Sequence, residues 1–324
     1  MNMKRADVYP LVMAMLGAVL FGASAPLSKM FLGVVDPILM AALLYLGSGI
    51  GLLIFMLSRP FLGMKPGEKL VKADMPWLAG AVLAGGVAAP IVLMFGLRAT
   101  PASTASLLLN FECVGTTVLA VFLFREHVGK RTWIAVGLIT LSSMILSFQS
   151  GSLGISAGAL GILAACVLWG LDNNFTRNIS TRDPIMIAVI KGLVAGSFSL
   201  ILALILGNRM PPLPVVIGAM LLGCMSYGLS VVLFIVAMRI LGAARTSAWF
   251  GIAPFAGAAI SFLVFRNNPG VMFLVSLPLM VLGAFLLLWE EHGHVHMHVH
   301  GAITHEHLHS ETEHHHGPEH PEKE

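Results

Sequence analysis

Glu112 is the residue in this sequence whose position most strongly suggests chemistry, because it lies near the middle of an apolar run at residues 102–124. A carboxylate at the depth of a lipid bilayer is costly, so it usually faces protein or a water-filled path. Such a group can exchange protons or bind a cationic solute. The alternative that the residues leave open is a structural acid that hydrogen-bonds to a hydroxyl one helical turn away, such as that of Thr116.

Four further residues of the same run form a stripe with i, i+4, i+7, i+11 spacing, which places them on one face of a helix. They are Ser106, Asn110, Cys113 and Thr117. The stripe and Glu112 point in different directions, so a single narrow cavity cannot expose all of them equally. Two readings remain open: the stripe lines a solute path, or it makes polar contacts between packed helices.

Asp172 and Asn173 lie late in the sixth apolar run, and Lys191 lies two turns into the seventh. Because consecutive helices cross a membrane in opposite directions, the two charges reach a similar depth, and we predict an Asp172–Lys191 ion pair. That pair is either structural or part of a substrate gate. Trp169 precedes Asp172 by one turn on the same face, where it either lines a cavity or fills the core.

The elements that must position these residues are membrane helices. The chain has 324 residues, of which 57% are hydrophobic and only 11% charged, whereas a soluble domain is typically about 25% charged. Ten apolar runs are long enough to cross a hydrocarbon core. They begin near Pro10, Pro37, Met75, Ala102, Thr132, Gly154, Pro184, Pro214, Ala243 and Pro269. The three cysteines lie inside these runs and are predicted to be buried thiols outside any disulfide.

The second half of the chain repeats the first. Residues Arg98, Ala102, Ser106, Phe124 and Arg125 align without gaps with Arg239, Ala243, Ser247, Phe265 and Arg266. Five helices per half is an odd number, so the second copy enters the membrane from the opposite side. We therefore predict an all-α integral membrane protein of two inverted five-helix repeats (8–150 and 151–289) around a central cavity, followed by a disordered tail (290–324).

Basic loop residues set the orientation of such a protein, because they concentrate on the cytoplasmic side. A cytoplasmic N-terminus gives a strong excess of Lys and Arg inside, and the reverse arrangement violates the rule. The inside residues are Lys4, Arg5, Arg59, Lys65, Lys69, Lys72, Arg125, Lys130, Arg131, Arg177, Arg182, Arg239, Arg245 and Lys323; the outside ones are Lys29, Arg98, Arg209 and Arg266. Both termini are then cytoplasmic, and the protein lies in the cell membrane.

The sequence resembles the EamA-like proteins of the drug/metabolite transporter superfamily. The resemblance rests on VLFG (19–22) and VLWG (167–170), on Phe124-Arg125-Glu126, and on IAPF (252–255). It implies ten helices around a central cavity and transport of a small solute, without saying which solute. Cys113 stands where the family usually has a proline, which predicts a less bent fourth helix.

The tail is rich in His and Glu. It holds 12 of the 13 histidines of the chain, and neutral imidazoles suit Zn, Ni, Co or Cu. The candidate ligands are His292, His294, His296, His298, His300, His305, His307 and His309. The tail either senses or donates a metal for transport, or it binds metal incidentally, because its spacing matches no folded zinc module.

These features predict a secondary transporter of a small organic metabolite, exporting it by alternating access with coupling to protons through Glu112. The alternatives are a divalent-metal transporter or metal-responsive permease that uses the tail, and a membrane metal sensor. The sequence has no phosphate-binding GxxxxGK[ST] loop and no nucleophile elbow, so neither an enzyme nor an ATP-driven pump is expected. The partners expected are a small-molecule solute and the bilayer, without nucleic acid; a monomer is compatible with this architecture.

Overall fold

The computed structural model describes residues 5–125, 128–148, 156–241, 250–290, 294–300 and 303–309. Its α-helices are α1 (Arg5–Gly22), α2 (Ser24–Phe31), α3 (Pro37–Ser58), α4 (Met75–Ala81), α5 (Ala89–Ala99), α6 (Ala102–Leu108), α7 (Phe111–Phe124), α8 (Lys130–Ser147), α9 (Ala157–Arg177), α10 (Pro184–Ile205), α11 (Leu213–Gly223), α12 (Ser230–Leu241), α13 (Ala253–Phe265) and α14 (Val271–Glu290). Short 3-10 turns occupy Arg59–Leu62 and Lys72–Asp74. The Ala243 and Ser247 members of the sequence repeat lie outside the described residues.

Many of these helices are long and apolar enough to cross a membrane. By length and composition, the described residues contain seven such stretches and two shorter apolar helices. The seven are Tyr9–Phe31, Pro37–Leu62, Lys72–Ala99, Ala102–Leu123, Ala157–Arg177, Pro184–Ile205 and Leu213–Phe234; the shorter two are Ala253–Phe265 and Val271–Leu286. The expected ten spans, and the inversion of the repeats, stay predictions.

The fourth apolar run is interrupted. The sequence predicts one run over 102–124 with little bend, but α6 ends at Leu108 and α7 begins at Phe111. The interruption does not measure a bend, so the expectation of a less bent helix stays a prediction. The cause of the interruption is local, since the N–H of Glu112 donates to the Leu109 carbonyl (3.1 Å) and that of Cys113 to the Asn110 carbonyl (3.2 Å). These tighter i→i−3 bonds shift the helix without any proline.

Two π-helical segments lie at matching places in the two copies. Val82–Ala88 joins α4 to α5, and Cys224–Leu229 joins α11 to α12. Such segments often occur at functional sites, because the wider turn displaces backbone groups from their regular bonds. Arg125 and Arg266, which form one pair of the sequence repeat, also share a left-handed conformation, with φ of 54° and 51°. Local backbone geometry thus repeats along with the sequence.

Glycines let α3 and α10 pack backbone against backbone. A Cβ built on Gly49 would lie 2.7 Å from the Leu193 nitrogen, and one on Gly192 would lie 2.7 Å from the Gly49 Cα. At the other end of the contact, a Cβ on Gly196 would lie 2.7 Å from the Leu46 nitrogen. As the residue number rises on one helix it falls on the other, so the two helices run antiparallel. Small residues are what allow such close approach.

The cysteines differ in exposure. Cys166 is buried and Cys224 is half-buried, but Cys113 is exposed. The prediction of a buried thiol is therefore wrong for Cys113, because this residue lies on the side of α7 that neighbouring helices leave uncovered.

Two segments of the tail are described as strands, whereas the disorder predicted for residues 290–324 as a whole stays a prediction. The backbones of β1 (His294–His300) and β2 (Ile303–His309) pair antiparallel, with His294 opposite His309 and His298 opposite His305. The physical reason is the alternation of histidine with Val, Met and Leu, since a period of two is typical of strands. His292 lies outside the described residues, and metal binding by the tail stays a prediction.

Candidate functional site

The predicted Asp172–Lys191 ion pair is confirmed. Lys191 on α10 donates from its Nζ to both carboxylate oxygens of Asp172 on α9, at 2.6 and 2.5 Å. The Oγ1 of Thr176 donates a further hydrogen bond to Asp172, at 3.0 Å. The Asp172 side chain is only 7% exposed. A buried charge of this kind is tolerated when it is both paired and hydrogen-bonded.

The first π segment brings backbone against this ion pair at Gly85. A Cβ at Gly85 would lie 1.9 Å from Asp172 Oδ2, so only glycine fits there. The carbonyl of Gly85 accepts hydrogen bonds from Tyr45 Oη (2.7 Å) and Trp169 Nε1 (3.1 Å). Trp169 is therefore part of the polar cluster as well as of the packed interior, and the π segment links α3 to α9.

Glu112 belongs to the same cluster. Its Oε1 accepts a hydrogen bond from Asn173 Nδ2 (2.9 Å), which also donates to Thr116 Oγ1 (3.1 Å). The expected contact between Glu112 and Thr116 thus runs through the Asn173 amide. Glu112 also interacts electrostatically with Asp172 and Lys191. The structure therefore joins an acid of the first copy to the ion pair of the second.

This cluster is not sealed from solvent. Glu112 is half-buried and Asn173 is exposed, although both lie within stretches long and apolar enough to span a membrane. A carboxylate and an amide that faced lipid tails at this depth would be costly. Such groups usually face protein or a water-filled path, and the central cavity expected from the sequence stays a prediction.

Aromatic side chains from both copies stand beside the cluster. Tyr227, in the second π segment, lies 5.7 Å from Phe21 and 5.9 Å from Tyr45 between ring centroids. Tyr227 hydrogen-bonds to Ser24 and interacts electrostatically with Glu112. Phe21, Tyr45 and Tyr227 are all half-buried.

The stripe on α6 and α7 is not gathered into this cluster. Ser106 is buried and donates to the Ala102 carbonyl (2.8 Å), while Asn110 is buried and its amide lies 3.4 Å from the Leu107 carbonyl. Both side chains thus bond within their own helical segment. Thr117 is half-buried and Cys113 is exposed. Of the sequence candidates, the structure brings together Glu112, Trp169, Asp172, Asn173 and Lys191.

Sequence reasoning missed Tyr45, Tyr227 and Gly85. A signal for the tyrosines was present, because the chain has only three Tyr and a Tyr within an apolar run needs a partner for its hydroxyl. The acceptor of Tyr45, however, is a carbonyl that the π segment presents from another helix. That distortion has no mark in the local sequence.

A second polar network joins the long 58–74 link to the start of α10. Arg59 pairs with Asp183 through both guanidinium nitrogens, one of the two hydrogen bonds being 3.0 Å, and the two side chains are 6% and 7% exposed. Burial raises the pKa of Asp183, but hydrogen bonds from Arg59 and from the backbone N–H groups of Gly67 and Ile185 outweigh it, so the pKa falls to about 2. We call this network the 59–183 clamp. It also includes Arg182, which pairs with Glu68 and Asp74.

The described residues contain no group of three or more His, Cys, Asp or Glu side chains that could hold a metal ion. The helices therefore lend no support to the metal-transport alternative.

Long apolar helices around a buried polar cluster are typical of a polytopic membrane protein. The pattern of the EamA-like transporter family matches the chain twice, over residues 8–148 and 156–289. The chain belongs to that family, and it is a membrane transporter of the drug/metabolite kind.

Two further likenesses agree with this assignment. The chain is 30% identical over 288 residues to an uncharacterized transporter of Methanothermobacter thermautotrophicus, a match that covers 84% of each protein. A solved crystal structure of a protein superposes with a TM-score of 0.61 at 17% identity, covering 88% of this chain and 96% of the other. At that identity the likeness concerns the fold alone.

Proposed function

We propose that this protein is a secondary transporter that exports a small organic solute in exchange for protons, with Glu112 as the proton-binding group. The main observation behind the proposal is the position of Glu112. It is half-buried within an apolar helical bundle and accepts a hydrogen bond from the amide of Asn173, which is exposed. An ionisable residue in this setting usually marks an ion or substrate pathway.

Glu112 is better suited to proton exchange than the other acid of the cluster. Asp172 is held by Lys191 at 2.6 and 2.5 Å, and this partner stabilises its charged form. Glu112 accepts its hydrogen bond from a neutral amide, so its carboxyl group can gain or lose a proton without breaking an ion pair. Protons flow into the cell down their gradient, so an exchange with a solute drives that solute outward.

Alternating access is supported by the way the site is assembled. Glu112 comes from the first copy, whereas Asp172, Asn173 and Lys191 come from the second. A movement of one copy against the other would therefore open or close the site. Duplicated transporters commonly place their sites at such a junction.

The test begins with a comparison of intracellular metabolites in cells that contain or lack the protein. The depleted solutes are then assayed for pH-driven uptake into inside-out vesicles. Glu112→Gln should reduce this flux to the level of vesicles without the protein, while the amount and melting temperature of the inserted protein stay unchanged. Asp36→Asn is the matched control, because Asp36 is an exposed acid at the start of α3 and should keep full flux. Full pH-driven flux in Glu112→Gln would overturn the proposal.

A further inference from the structure

The 58–74 link presents an excess of positive charge to solvent at one end of the helical bundle. It is held against the turn between α9 and α10 by the 59–183 clamp, in which every acid is paired with Arg59 or Arg182. Three further basic side chains of the link are exposed and occur in none of the ion pairs found among the described residues. They are Lys65, Lys69 and Lys72. The acids of the clamp are therefore already neutralised, and these lysines are not.

The connection between α7 and α8 adds basic side chains to the same end of the bundle. The stretches Ala102–Leu123 and Ala157–Arg177 start side by side, because a Cβ on Gly158 would lie 2.4 Å from Thr100 Oγ1. They have 22 and 21 residues, so both finish at the end that carries the clamp. The basic side chains exposed there are Arg125, Lys130 and Arg131. We call the surface formed by these three and the three lysines of the link the basic end.

The last helix brings the tail to the basic end. Ser142 Oγ on α8 donates to the Ser276 carbonyl on α14 at 2.9 Å, and a Cβ on Gly283 would lie 2.7 Å from Ile139 Cγ1. As the residue number rises on α14 it falls on α8, so the two helices run antiparallel. The end of α14 therefore lies near the start of α8, and the tail leaves the bundle beside two of the exposed basic side chains.

The final part of the tail, residues 310–324, has the opposite charge. This segment lies outside the described residues, and its sequence holds five glutamates and one lysine. Residues 291–309 tether it to α14. A short tether makes contact an intramolecular event, with an effective concentration of about millimolar. Surface ion pairs that are individually weak can then act together.

We propose that residues 310–324 dock on the basic end of the same molecule, with their glutamates against its lysines and arginines. The inference does not rest on the proposed function, because neither surface includes the cluster around Glu112. The phosphate groups of anionic lipids have the same charge as the segment. The tail is the better fit, since its attachment point lies next to the basic end and it needs no recruitment from the bilayer.

Histidines give this contact a characteristic pH dependence. While its four histidines are neutral, the segment has a net charge of −4. Below about pH 6 the histidines become charged and offset the glutamates. The lysines and arginines of the basic end do not titrate in this range, and the acids of the 59–183 clamp stay paired with their arginines. The contact should therefore be strongest above pH 7 and weaken as the pH falls.

The test uses the full chain in nanodiscs of the zwitterionic lipid phosphatidylcholine, with the photo-cross-linker benzoylphenylalanine replacing His314. Mass spectrometry identifies the cross-linked peptides. In low salt at about pH 8, where histidine is neutral, residue 314 should couple to peptides from 58–74 or 125–131. The yield should fall several-fold at about 1 M salt, where the Debye length is about 3 Å, and also at about pH 5.5. Failure to couple to these peptides, or a yield that ignores salt and pH, would overturn the proposal.

Matched charge variants distinguish docking from mere proximity. Lys65→Gln, Lys69→Gln and Lys72→Gln, combined in one protein, should lower the cross-link yield several-fold. Arginine at the same three positions should preserve it. Because these side chains are exposed, both proteins should keep the melting temperature of the parent. Equal yields in the two proteins would show that charge does not hold the segment at the basic end.

A change of lipid tests the competing occupant. The same measurement is repeated in nanodiscs rich in the anionic lipid phosphatidylglycerol. The cross-links should persist there, because the segment is tethered beside its site. Their loss would show that lipid phosphates occupy the basic end in place of the tail, and would overturn the proposal.

Discussion

The two copies of the repeat use the same packing device but differ in chemistry. Gly170 on α9 packs against Gly115 on α7, and Gly22, its counterpart in the sequence repeat, packs against Ala253 on α13. Ala253, however, stands 141 residues after Glu112, in the position equivalent to the acid. Duplication thus preserved the close helix crossing, whereas the carboxylate is present in one copy alone. The packing is a property of the fold, and the charge is a property of this transporter's site.

The same contrast appears where α3 and α10 begin. Asp183 caps α10 by accepting from Ile185 N at 3.0 Å and also pairs with Arg59. Asp36, its counterpart before α3, is exposed and makes no side-chain capping bond. One end of the molecule is thus held by buried charges, while the equivalent end of the other copy lacks this pairing.

The largest effect is expected from Arg59→Met, which leaves Asp183 buried without its partner. Breaking a buried ion pair in this way costs about 3–5 kcal/mol, and the loss should appear as a large fall in melting temperature in detergent. Adding Asp183→Asn should recover part of it, since Asn still accepts the capping bonds. Asp36→Asn is the control. If Asp36→Asn destabilised the protein as much as Arg59→Met does, the contrast between the two ends would be refuted.

The second largest effect is expected from substitutions at Gly170 and Gly22, where helices approach closely. It tests whether these close helix contacts are equally important for stability in both copies. A Cβ at Gly170 would lie 2.7 Å from the Gly115 carbonyl carbon, and one at Gly22 would lie 2.1 Å from the Ala253 oxygen. Because backbone cannot rotate away, Gly170→Ala and Gly22→Ala should each destabilise the protein by about 1–3 kcal/mol or more. Thermal unfolding measures this.

Gly137 on α8 provides the control for both substitutions, because a Cβ added there would have nothing within 4 Å of it. Gly137→Ala should leave stability unchanged or raise it by about 0.5–1 kcal/mol. A destabilisation by Gly137→Ala equal to that of the two crossing glycines would mean that the close helix contacts do not explain the results.

A smaller effect is the pH dependence of the 59–183 clamp. The pKa of Asp183 is about 2 in the folded protein, below its value of about 3.9 in an unfolded chain. Its contribution to stability should therefore be complete above pH 4 to 5 (about one unit above the unfolded pKa) and should fall as the pH drops toward 2. Melting temperatures across this window should decline less steeply in Asp183→Asn. Identical slopes would show that the clamp does not titrate there.

The smallest effect on transport is expected from removing the tail after residue 289. The proposed site is built from side chains of the helices that precede the tail, so flux and melting temperature should stay unchanged. Zinc or nickel binding, measured by calorimetry, should disappear with the histidines. Reduced flux in the truncated protein would tie the tail to the transport cycle.

Much of the helical arrangement was predictable, because proline marks the first turn of a helix and apolar length marks a span. The expected starts at Pro37, Met75, Ala102 and Pro184 coincide with the starts of α3, α4, α6 and α10. Depth along consecutive helices was enough to predict the Asp172–Lys191 pair. These are statements about periodicity and length, which a sequence records directly.

The rest of the site depends on backbone distortions and on contacts between distant segments. The interruption near Asn110 and the π segments arise from shifts in hydrogen bonding that no single residue specifies. The 59–183 clamp joins residues 124 apart, and in the sequence Arg59 was only one of many basic loop residues. Tyr45 could not be predicted as a site residue, because folding is what brings the Gly85 carbonyl within hydrogen-bonding distance of its hydroxyl.

The antiparallel contact between α3 and α10 has a consequence for assembly. Gly49 meets residues 192–193, and Gly196 meets residues 45–46, so equivalent positions of the two copies exchange partners. This reciprocity is the signature of an isologous interface, the kind that joins identical subunits in a two-fold homodimer. Within one chain, α3 and α10 thus pack against each other as equivalent helices of two identical subunits would. Separately produced halves of the protein should be able to associate through this contact.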